Sequence, residues 1–518
     1  MSRTYYVTTP IYYVNDVPHI GHSYTTIAAD VLARFFRADG RDVRFLTGTD
    51  EHGIKILKAA DERGVTPREL ADEVVTHFQG LWTDLNITND DFIRTSEARH
   101  EKRVQTLVRQ LLDRDEIYLG KYEGWYDEGQ EEYVTESVAR DHEYKSPINA
   151  KPLVRYGEDN WFFRLTKWVE PLIAHIESHP TFIQPEARRN EVLSKLRLGV
   201  EDLCISRHKD KLPWGVEMPN DPDHVVYVWI DALSNYYTAL GLPAIGDEHD
   251  ENAAQYWPCD VHLIGKDILW FHAVYWPCVL MALEIDLPRC VFAHGWWTSE
   301  GMKMSKSLGN FISREQIDEI CTEYTRDTYR YFLLRAVNFG ADGDFSRDAL
   351  HARYNADLAN GVGNLLSRTV NMIGRYFDGV VPDGATGSDE AAAVIGAAAA
   401  LTGSATDLME ACRFHIYLDH VLALTDATNR FIEATAPFKL AKDPSQRDRL
   451  AGILYTCAEA VRLILLYLRP VIPEAADRGL TQLGWSLPDR PLSDVGRWGG
   501  LEAGTNTCKA EALFPRKK

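Results

Sequence analysis

Two histidines stand three residues apart where a short apolar run gives way to a helical pattern. His19 and His22 belong to the segment PHIGH at 18–22, and apolar residues then recur at helical spacing over 23–39. This spacing places both imidazoles on one face near the positive end of a helix dipole, where phosphate binds well. Gly21 removes a side chain between them, so a flat base or ribose can approach the backbone. The pattern indicates a nucleotide site, although an isolated pair of this kind is most often two surface histidines.

A second segment with phosphate chemistry lies far along the chain. Lys303 and Lys306 flank small residues in KMSKS at 303–307, and Ser305 adds a hydroxyl between the lysines. Lysines in a loop bordered by glycines can swing their ammonium groups onto a polyphosphate. By itself the segment is equally typical of a solvated basic loop, so its position relative to the first motif decides the interpretation.

The surrounding pattern predicts one parallel sheet that carries both motifs. Apolar runs at 4–8 and 43–46 enclose the helical stretch, which is a βαβ unit with two parallel strands. Strand-like runs return at 225–230 (VVYVWI), 261–264 and 290–293, and KMSKS follows the last of them. Because parallel strands end at one edge, and open α/β sheets bind ligands there, both motifs are expected at the same edge.

Composition excludes several classes of protein. The 518 residues are 45% hydrophobic and 25% charged, as in a soluble globular protein of several domains. A net charge of −20 argues against bulk attraction to DNA or RNA. Eight scattered cysteines without a CxxC pair suggest neither disulfides nor a zinc knuckle. The longest apolar stretch, 391–401, is too short for a membrane span, and the start MSRTYY lacks a signal-peptide core, so we expect a cytoplasmic protein without a membrane partner.

Taken together, the two motifs on a split sheet resemble the class I aminoacyl-tRNA synthetases. Within that class the chain is similar to the methionyl-tRNA synthetase family along nearly its whole length. The resemblance is carried by IYYVNDVPHIGH (11–22), FLTGTDEHG (45–53), YVWIDALSNY (227–236), IGKDILWFHAVYWP (264–277) and NADLANGVGNLLSR (355–368). So much agreement in the expected order is highly specific.

The resemblance implies an α/β fold in which a Rossmann parallel sheet is split by an inserted connective domain and followed by an all-α helical bundle. We expect the first half of the catalytic domain at 1–115, the connective domain at 116–224 and the second half at 225–295. The KMSKS loop and a linking segment follow at 296–347, and a helical anticodon-binding domain with the C-terminal tail occupies 348–518.

The resemblance also implies the site residues. Those matching the catalytic and ATP-binding positions are His19, Gly21, His22, Lys303, Ser305 and Lys306. Those matching the methionine pocket are Ile11, Tyr13, Asp50, Trp229, Ala232, Leu233, Tyr236, Ile268 and His272. The residue types are suitable: an apolar and aromatic cage can enclose a thioether, Asp50 can hold the substrate ammonium, and His272 or Tyr236 can donate to the sulfur.

Two departures from the family pattern are informative. Residues 116–224 contain only Cys204, whereas many relatives bind zinc there, so no structural zinc is expected. Asn364 and Arg368 match anticodon-reading positions, one helical turn apart. Phe438 stands where the family usually has tryptophan, which keeps a stacking surface but loses the indole donor.

The implied activity is a methionine–tRNA ligase that uses ATP and Mg²⁺. Its expected partners are L-methionine, ATP and methionine tRNA, and DNA is not among them. Since we see no additional tRNA-binding or dimerising domain after Pro515, we expect a monomer. The alternatives are another class I synthetase for an aliphatic amino acid, a small nucleotidylyltransferase and an idle RNA-binding protein. A synthetase for another aliphatic amino acid would normally carry a longer editing insertion. In a small nucleotidylyltransferase the insertion and the helical domain would have no role. An idle RNA-binding protein would usually have degraded HIGH or KMSKS motifs.

Overall fold

The computed structural model describes residues 3–130, 132–134, 136–245, 251–299, 301–303, 311–384, 389–508 and 511–517. The strands are β1 (Thr4–Tyr13), β2 (Asp42–Asp50), β3 (Asp91–Arg94), β4 (Ile117–Asp127), β5 (Glu132–Val134), β6 (Val154–Phe163), β7 (Ile183–Gln184), β8 (Leu203–Cys204), β9 (Ser206–His208), β10 (Glu217–Met218), β11 (Asp221–Val226), β12 (Val261–Gly265), β13 (Val291–His294), β14 (Trp297–Ser299), β15 (Met302–Lys303) and β16 (Gly343–Phe345).

The helices of the first three hundred residues surround the strands. They are α1 (Ile20–Ala38), α2 (Ile54–Arg63), α3 (Pro67–Asp84), α4 (Ala98–Asp113), α5 (Glu136–Asp141), α6 (Leu165–Ser178), α7 (Glu186–Arg197), α8 (Val228–Thr238), α9 (Glu251–Ala254) and α10 (Trp276–Ala282). The later helices are α11 (Arg314–Tyr324), α12 (Arg326–Arg335), α13 (Arg347–Arg353), α14 (Asn364–Tyr376), α15 (Ala392–Glu410), α16 (Phe414–Thr435), α17 (Pro437–Leu440), α18 (Arg447–Leu468), α19 (Pro473–Leu483) and α20 (Leu492–Val495).

The central sheet has six parallel strands in the order β3-β2-β1-β12-β13-β7. The predicted βαβ unit is confirmed, since β1 and β2 pair in parallel on either side of α1 in the chain. From β1 the chain continues to β2 and β3 on one side of the sheet, and from β12 it continues to β13 on the other side. The crevice between the carboxyl ends of β1 and β12 is therefore a topological switch point. The fold therefore places the PHIGH segment at a crevice suited to a ligand.

Helix α1 begins at Ile20 because the side chain of the preceding residue, His19, caps it. The Nδ1 atom of His19 accepts the Gly21 N–H at 3.0 Å, and Nδ1 of His22 accepts the His19 N–H at 3.1 Å. This reciprocal pair forms a capping box with histidines in both positions. The helix then buries its face against the sheet, with Ile27 and Val31 fully enclosed.

The segment between the two halves of the sheet forms its own antiparallel sheet, in the order β5-β4-β6-β8. It also returns to the central sheet, since β7 pairs in parallel with β13 at the outer edge. A second small sheet, β10-β11-β9, follows before α8. The proposed boundaries of the connective domain thus enclose one strand that hydrogen-bonds to the catalytic sheet.

The prediction of a central-sheet strand over 225–230 is wrong. The run VVYVWI is divided, because β11 ends at Val226 and α8 begins at Val228. Every residue of the run is buried, so its apolar character reflects burial in both elements. A short continuous apolar run cannot by itself distinguish a strand from a buried helix. Residues 266–282 likewise do not form one continuous α-helix, since they divide into a 3-10 turn, a π-helix at Phe271–Tyr275 and α10.

Beyond residue 313 the chain is mainly helical, which agrees with the expected all-α bundle. Ser313 and Ser346 both cap their helices, and the Ser313–Gln316 pair forms a capping box. Helices 389–410 and 444–468 are long and apolar enough to cross a membrane by length and composition alone. In the second of these, 89% of the apolar window is buried inside the protein, as in the core helix of a bundle.

Helix α12 joins the catalytic sheet to the bundle. The Arg330 guanidinium is fully buried and donates to Asp30 of α1 at 2.7 Å. It also donates to the carbonyl oxygens of Val471 at 2.9 Å and Leu85 at 3.1 Å. Separating Arg330 from Asp30 would leave an uncompensated buried charge, which is unfavourable. The contact therefore fixes the position of α1, which begins at the two histidines, relative to the bundle.

Candidate active site

A cavity of about 560 Å³ opens at the carboxyl ends of β1 and β12. Twelve of the residues predicted for catalysis or for ATP and methionine binding line this one cavity: Ile11, Tyr13, His19, Gly21, His22, Asp50, Trp229, Ala232, Leu233, Tyr236, Ile268 and His272. They come from β1, α1, β2, α8 and the turns after β12. The sheet edge therefore brings together residues that are more than 200 positions apart in the chain.

The two histidines that line the cavity each have a defined tautomer. In each ring Nδ1 accepts a backbone N–H, so a neutral imidazole carries its proton on Nε2. Burial lowers the pKa of His19 to about 4 and that of His22 well below its usual value. The ring centroids lie 3.8 Å apart. At neutral pH the pair consists of two uncharged Nε2–H donors, which can bind phosphate oxygens without a fixed positive charge.

The carboxylate of Asp50 forms one polar end of the cavity. It ends β2 and is only 3% exposed. Tyr13 lies alongside, with its ring edge-on to Trp229 at 6.4 Å and the Lys55 ammonium 4.5 Å from its centroid. A buried carboxylate bordered by aromatic rings suits a small organic cation such as the ammonium of an amino acid.

An aromatic wall of the cavity comes from α8 and the π-helical turn. Trp229 stacks on Phe271 with centroids 3.7 Å apart and planes within 7°. The Tyr236 hydroxyl lies 2.7 Å from Nε2 of His272, and Nδ1 of His272 lies 2.9 Å from the Ile268 carbonyl oxygen. Burial lowers the pKa of His272 to about 4, so the neutral ring donates from Nδ1 to Ile268 and accepts from Tyr236. His272 then has no N–H left for a sulfur, so of the two only Tyr236 can redirect its hydrogen, which in this structure is donated to His272.

The second motif lies largely outside the described residues. Ser305 and Lys306 fall at 304–310, and of Lys303 only the backbone is described, as the end of β15. On the far side of the gap, Phe311 lines the cavity with its ring 4.9 Å from that of His19. The Ile20 N–H donates to the Ile312 carbonyl at 3.2 Å. The chain that leaves KMSKS is thus held against the start of α1.

Other cavity residues were not selected by sequence reasoning. Asp267 follows β12 and accepts from the Trp296 indole N–H at 3.0 Å. His294 ends β13, and its Nε2 lies 2.6 Å from Thr25 Oγ1. Both were visible as polar residues at strand ends, which is the signal that could have identified them.

The residues predicted to read the anticodon lie elsewhere, in the helical bundle. Asn364 and Arg368 are half-buried on α14, one turn apart. Phe438 is on α17 and is 48% exposed. Both helices pack against α18. A ring that is half exposed has a face available to a base.

In the part of the chain that the structure describes, no group of three or more histidine, cysteine, aspartate or glutamate side chains could hold a metal ion. Cys204 is buried, and its Sγ lies 3.7 Å from the Ser206 carbonyl oxygen. The expectation that the protein needs no structural zinc stays a prediction.

Comparisons with known proteins agree with the geometry. The family model described as tRNA synthetases class I (M) matches residues 5–147 and 142–370. A methionine–tRNA ligase of Caldanaerobacter subterraneus subsp. tengcongensis is 46% identical over 516 residues, covering 100% of this chain and 79% of the relative. One of Rickettsia felis is 44% identical over 520 residues, covering 100% and 99% of the two chains.

Solved structures give the same result. The Mycobacterium tuberculosis methionyl-tRNA synthetase in complex with methionyl-adenylate superposes with a TM-score of 0.93 at 41% identity, covering 99% of this chain and 100% of the other. The split Rossmann sheet followed by a helical bundle is therefore confirmed as the fold. The chain belongs to the methionyl-tRNA synthetase family of the class I aminoacyl-tRNA synthetases.

Proposed function

We propose that this protein is an ATP-dependent methionine–tRNA ligase. It activates L-methionine to methionyl-adenylate with release of pyrophosphate, then transfers the methionyl group to the 3′ end of its tRNA. The observation that carries the proposal is the single cavity that combines a buried carboxylate, an aromatic cage and two neutral imidazole donors. The solved relative with 41% identity holds methionyl-adenylate, which has the matching chemistry.

Methionine occupies the end of the cavity between Asp50 and α8. Asp50 binds the ammonium, and Trp229, Ala232 and Leu233 enclose the side chain with Ile11, Tyr13 and Ile268. Tyr236 turns its hydroxyl hydrogen from Nε2 of His272 to the sulfur, because the single N–H of neutral His272 is committed to the Ile268 carbonyl oxygen. An apolar cage with one donor favours a thioether over a plain hydrocarbon of similar size.

ATP occupies the end near α1. A carboxylate oxygen of methionine attacks the α-phosphorus in line, the bond from that phosphorus to the bridging oxygen breaks, and pyrophosphate leaves. His19 and His22 donate from Nε2 to the phosphate oxygens, and Gly21 allows close approach. Lys303, Ser305 and Lys306, with Mg²⁺ that enters with ATP, offset the charge of the departing pyrophosphate.

The helical domain selects the tRNA. Asn364, Arg368 and Phe438 are the proposed anticodon contacts, with Phe438 offering its exposed ring for stacking. The domain boundaries proposed from the sequence assign this role to 348–518. We further propose a cytoplasmic monomer that uses no structural zinc and binds neither DNA nor a membrane.

Methionine-dependent exchange of labelled pyrophosphate into ATP tests the first step directly. The purified chain is expected to catalyse exchange with methionine and far more slowly with leucine, isoleucine or valine. Exchange that depends on one of those three instead would favour a synthetase for an aliphatic amino acid. Charging of methionine tRNA then tests the second step, and exchange without charging would contradict the proposed tRNA partner.

A further inference from the structure

A buried carboxylate outside the cavity is held between two imidazoles. Asp231 of α8 is 1% exposed. One carboxylate oxygen accepts from Nδ1 of His52 at 2.7 Å, and the other accepts from Nε2 of His100 at 2.8 Å. Nδ1 of His100 lies 2.7 Å from the hydroxyl oxygen of Thr238, on the same helix as Asp231. Both oxygens of Asp231 are therefore committed to ring N–H donors, and the cavity residues do not include it.

This contact joins the two walls of the proposed methionine site. His52 lies two residues after Asp50, the group proposed to hold the ammonium. Asp231 lies on α8 between Trp229 and Ala232, which belong to the aromatic wall. A shift at the His52–Asp231 bond would change the distance between the carboxylate and the aromatic cage. In the proposed function, Asp50 holds the ammonium of methionine and the residues of α8 enclose its side chain.

The rest of the loop is held on its other side. The Glu51 N–H donates to Thr95 Oγ1 at 2.9 Å, and the Glu51 carbonyl accepts from the Trp214 indole at 2.5 Å. The ring of Trp214 also packs edge-on against His52 at 5.2 Å. His52 is thus the side chain that connects this otherwise anchored loop to α8.

The electrostatics of the group support a charged arrangement. Burial pushes the pKa of Asp231 up, but His52 and His100 outweigh it and lower the value to about 2. Burial lowers the pKa of His52, and the carboxylate of Asp231 outweighs this and raises it. Glu101 also faces this ring, with its carboxylate 3.7 Å from Nε2 of His52. A charge-assisted bond is short and directional, which suits a fixed spacing.

We propose that Asp231 is a positioning residue for methionine: by holding His52 and His100 it sets the spacing between Asp50 and the cage on α8, and so sets the affinity and selectivity for the amino acid. This inference rests on the proposed function. Asp231 contacts neither substrate, and the ATP end of the cavity does not depend on it. Its loss therefore affects methionine and spares ATP.

The substitution Asp231→Asn keeps the shape and changes the hydrogen bonding. An amide can accept from one ring but presents N–H to the other, so one histidine must change tautomer and the negative charge of Asp231 is lost. In pyrophosphate exchange we expect KM for methionine to rise by roughly tenfold, because bonds to charged groups are strong, while KM for ATP changes less than twofold. An unchanged methionine KM, or equal changes for both substrates, would overturn the inference.

A second pair of variants provides rescue. His52→Asn retains an N–H near the position of Nδ1, whereas His52→Ala removes it. The alanine variant is expected to raise KM for methionine and the asparagine variant to remain near the parent protein. If the two variants have the same methionine KM, the bond to Asp231 is not what matters and the inference fails.

Glu459→Gln is the matched control for burial. Glu459 is a fully buried carboxylate paired with Arg462 at 2.7 Å in the helical bundle. Its loss is expected to lower Tm without changing KM for either substrate. A parent protein without methionine-dependent exchange contradicts the proposed function, whereas an active parent with an unaffected Asp231→Asn variant contradicts only the inference.

Discussion

Each histidine of the PHIGH segment uses its two ring nitrogens for different purposes. Nδ1 accepts a backbone N–H at the start of α1, and Nε2 is left as a donor. The cap fixes which nitrogen carries the proton, and burial keeps the ring neutral. The same contacts that begin the helix therefore prepare the group proposed to bind phosphate.

This division predicts opposite effects for two substitutions of His19. Asparagine can replace Nδ1 as the cap acceptor, and glutamine can replace Nε2–H as the donor. His19→Gln should retain more pyrophosphate exchange than His19→Asn. His19→Asn should be the more stable of the two, since an N-cap contributes about 1 kcal/mol. Exchange rates and Tm of both variants check this, and the reverse order in exchange would show that Nε2 is not the donor.

Asp50→Ala should raise the methionine requirement far more than the ATP requirement. The substitution deletes the proposed partner of the substrate ammonium, and such a charge-assisted contact is worth about 1.5 to 3 kcal/mol, or tenfold or more in affinity. KM for each substrate in pyrophosphate exchange measures the difference. Equal weakening for methionine and ATP would count against the role of Asp50.

Among the secondary-structure elements, α12 contacts both α1 of the catalytic part and α16 and α19 of the bundle. Beside the buried Arg330 contact, the carboxylate of Asp327 accepts the Ala475 N–H at 2.6 Å, near the start of α19. Asp327 is 2% exposed, and burial raises its pKa to about 6. A carboxyl that resists ionisation lies at the junction between the catalytic sheet and the bundle.

The raised pKa predicts a pH-dependent stability. Because the folded value exceeds the unfolded value of 3.8, Asp327 contributes stability that is fully present below about pH 4 and is lost as pH rises through about 6. Asp327→Asn removes this titration. The Tm of the variant minus that of the parent should therefore increase between pH 4.5 and 7.5, by the equivalent of about 1 to 3 kcal/mol. A difference that stays constant or falls with pH would contradict the assignment.

At the scale of the whole molecule, amino-acid activation and tRNA selection are proposed to occur in separate parts. The cavity belongs to the central sheet, and none of the three proposed anticodon residues lines it. Phe438 is 48% exposed, so packing of the bundle core does not account for its ring. The two steps should then be separable by substitution.

Phe438→Ala should weaken charging of methionine tRNA and leave pyrophosphate exchange unchanged. Stacking on a base is worth about 1 to 3 kcal/mol, and Phe438→Trp should be tolerated because it keeps the ring face. Leu487→Ala, at another exposed apolar side chain that is 43% exposed, is the matched control. A loss of about 3 to 5 kcal/mol of stability with normal charging would instead indicate a core role.

The sequence by itself determined the features that depend on neighbours along the chain. The first βαβ unit, for example, follows from the apolar runs and helical periodicity of its own segment. Twelve of the cavity residues were assigned from the family resemblance, which matched whole motifs rather than single positions. Parallel strands end at one edge, so local signals were enough to bring the motifs together.

Only the tertiary structure decided what depends on distant partners. The run at 225–230 is apolar throughout, and burial on all sides removes the periodicity that separates a strand from a helix. Asp231 directly follows that run, where a carboxylate like Asp50 could be expected to line the cavity. It instead hydrogen-bonds to His52, which is 179 positions away. No local pattern encodes such a pairing, because a buried charge is stabilised by whichever partner the fold brings to it.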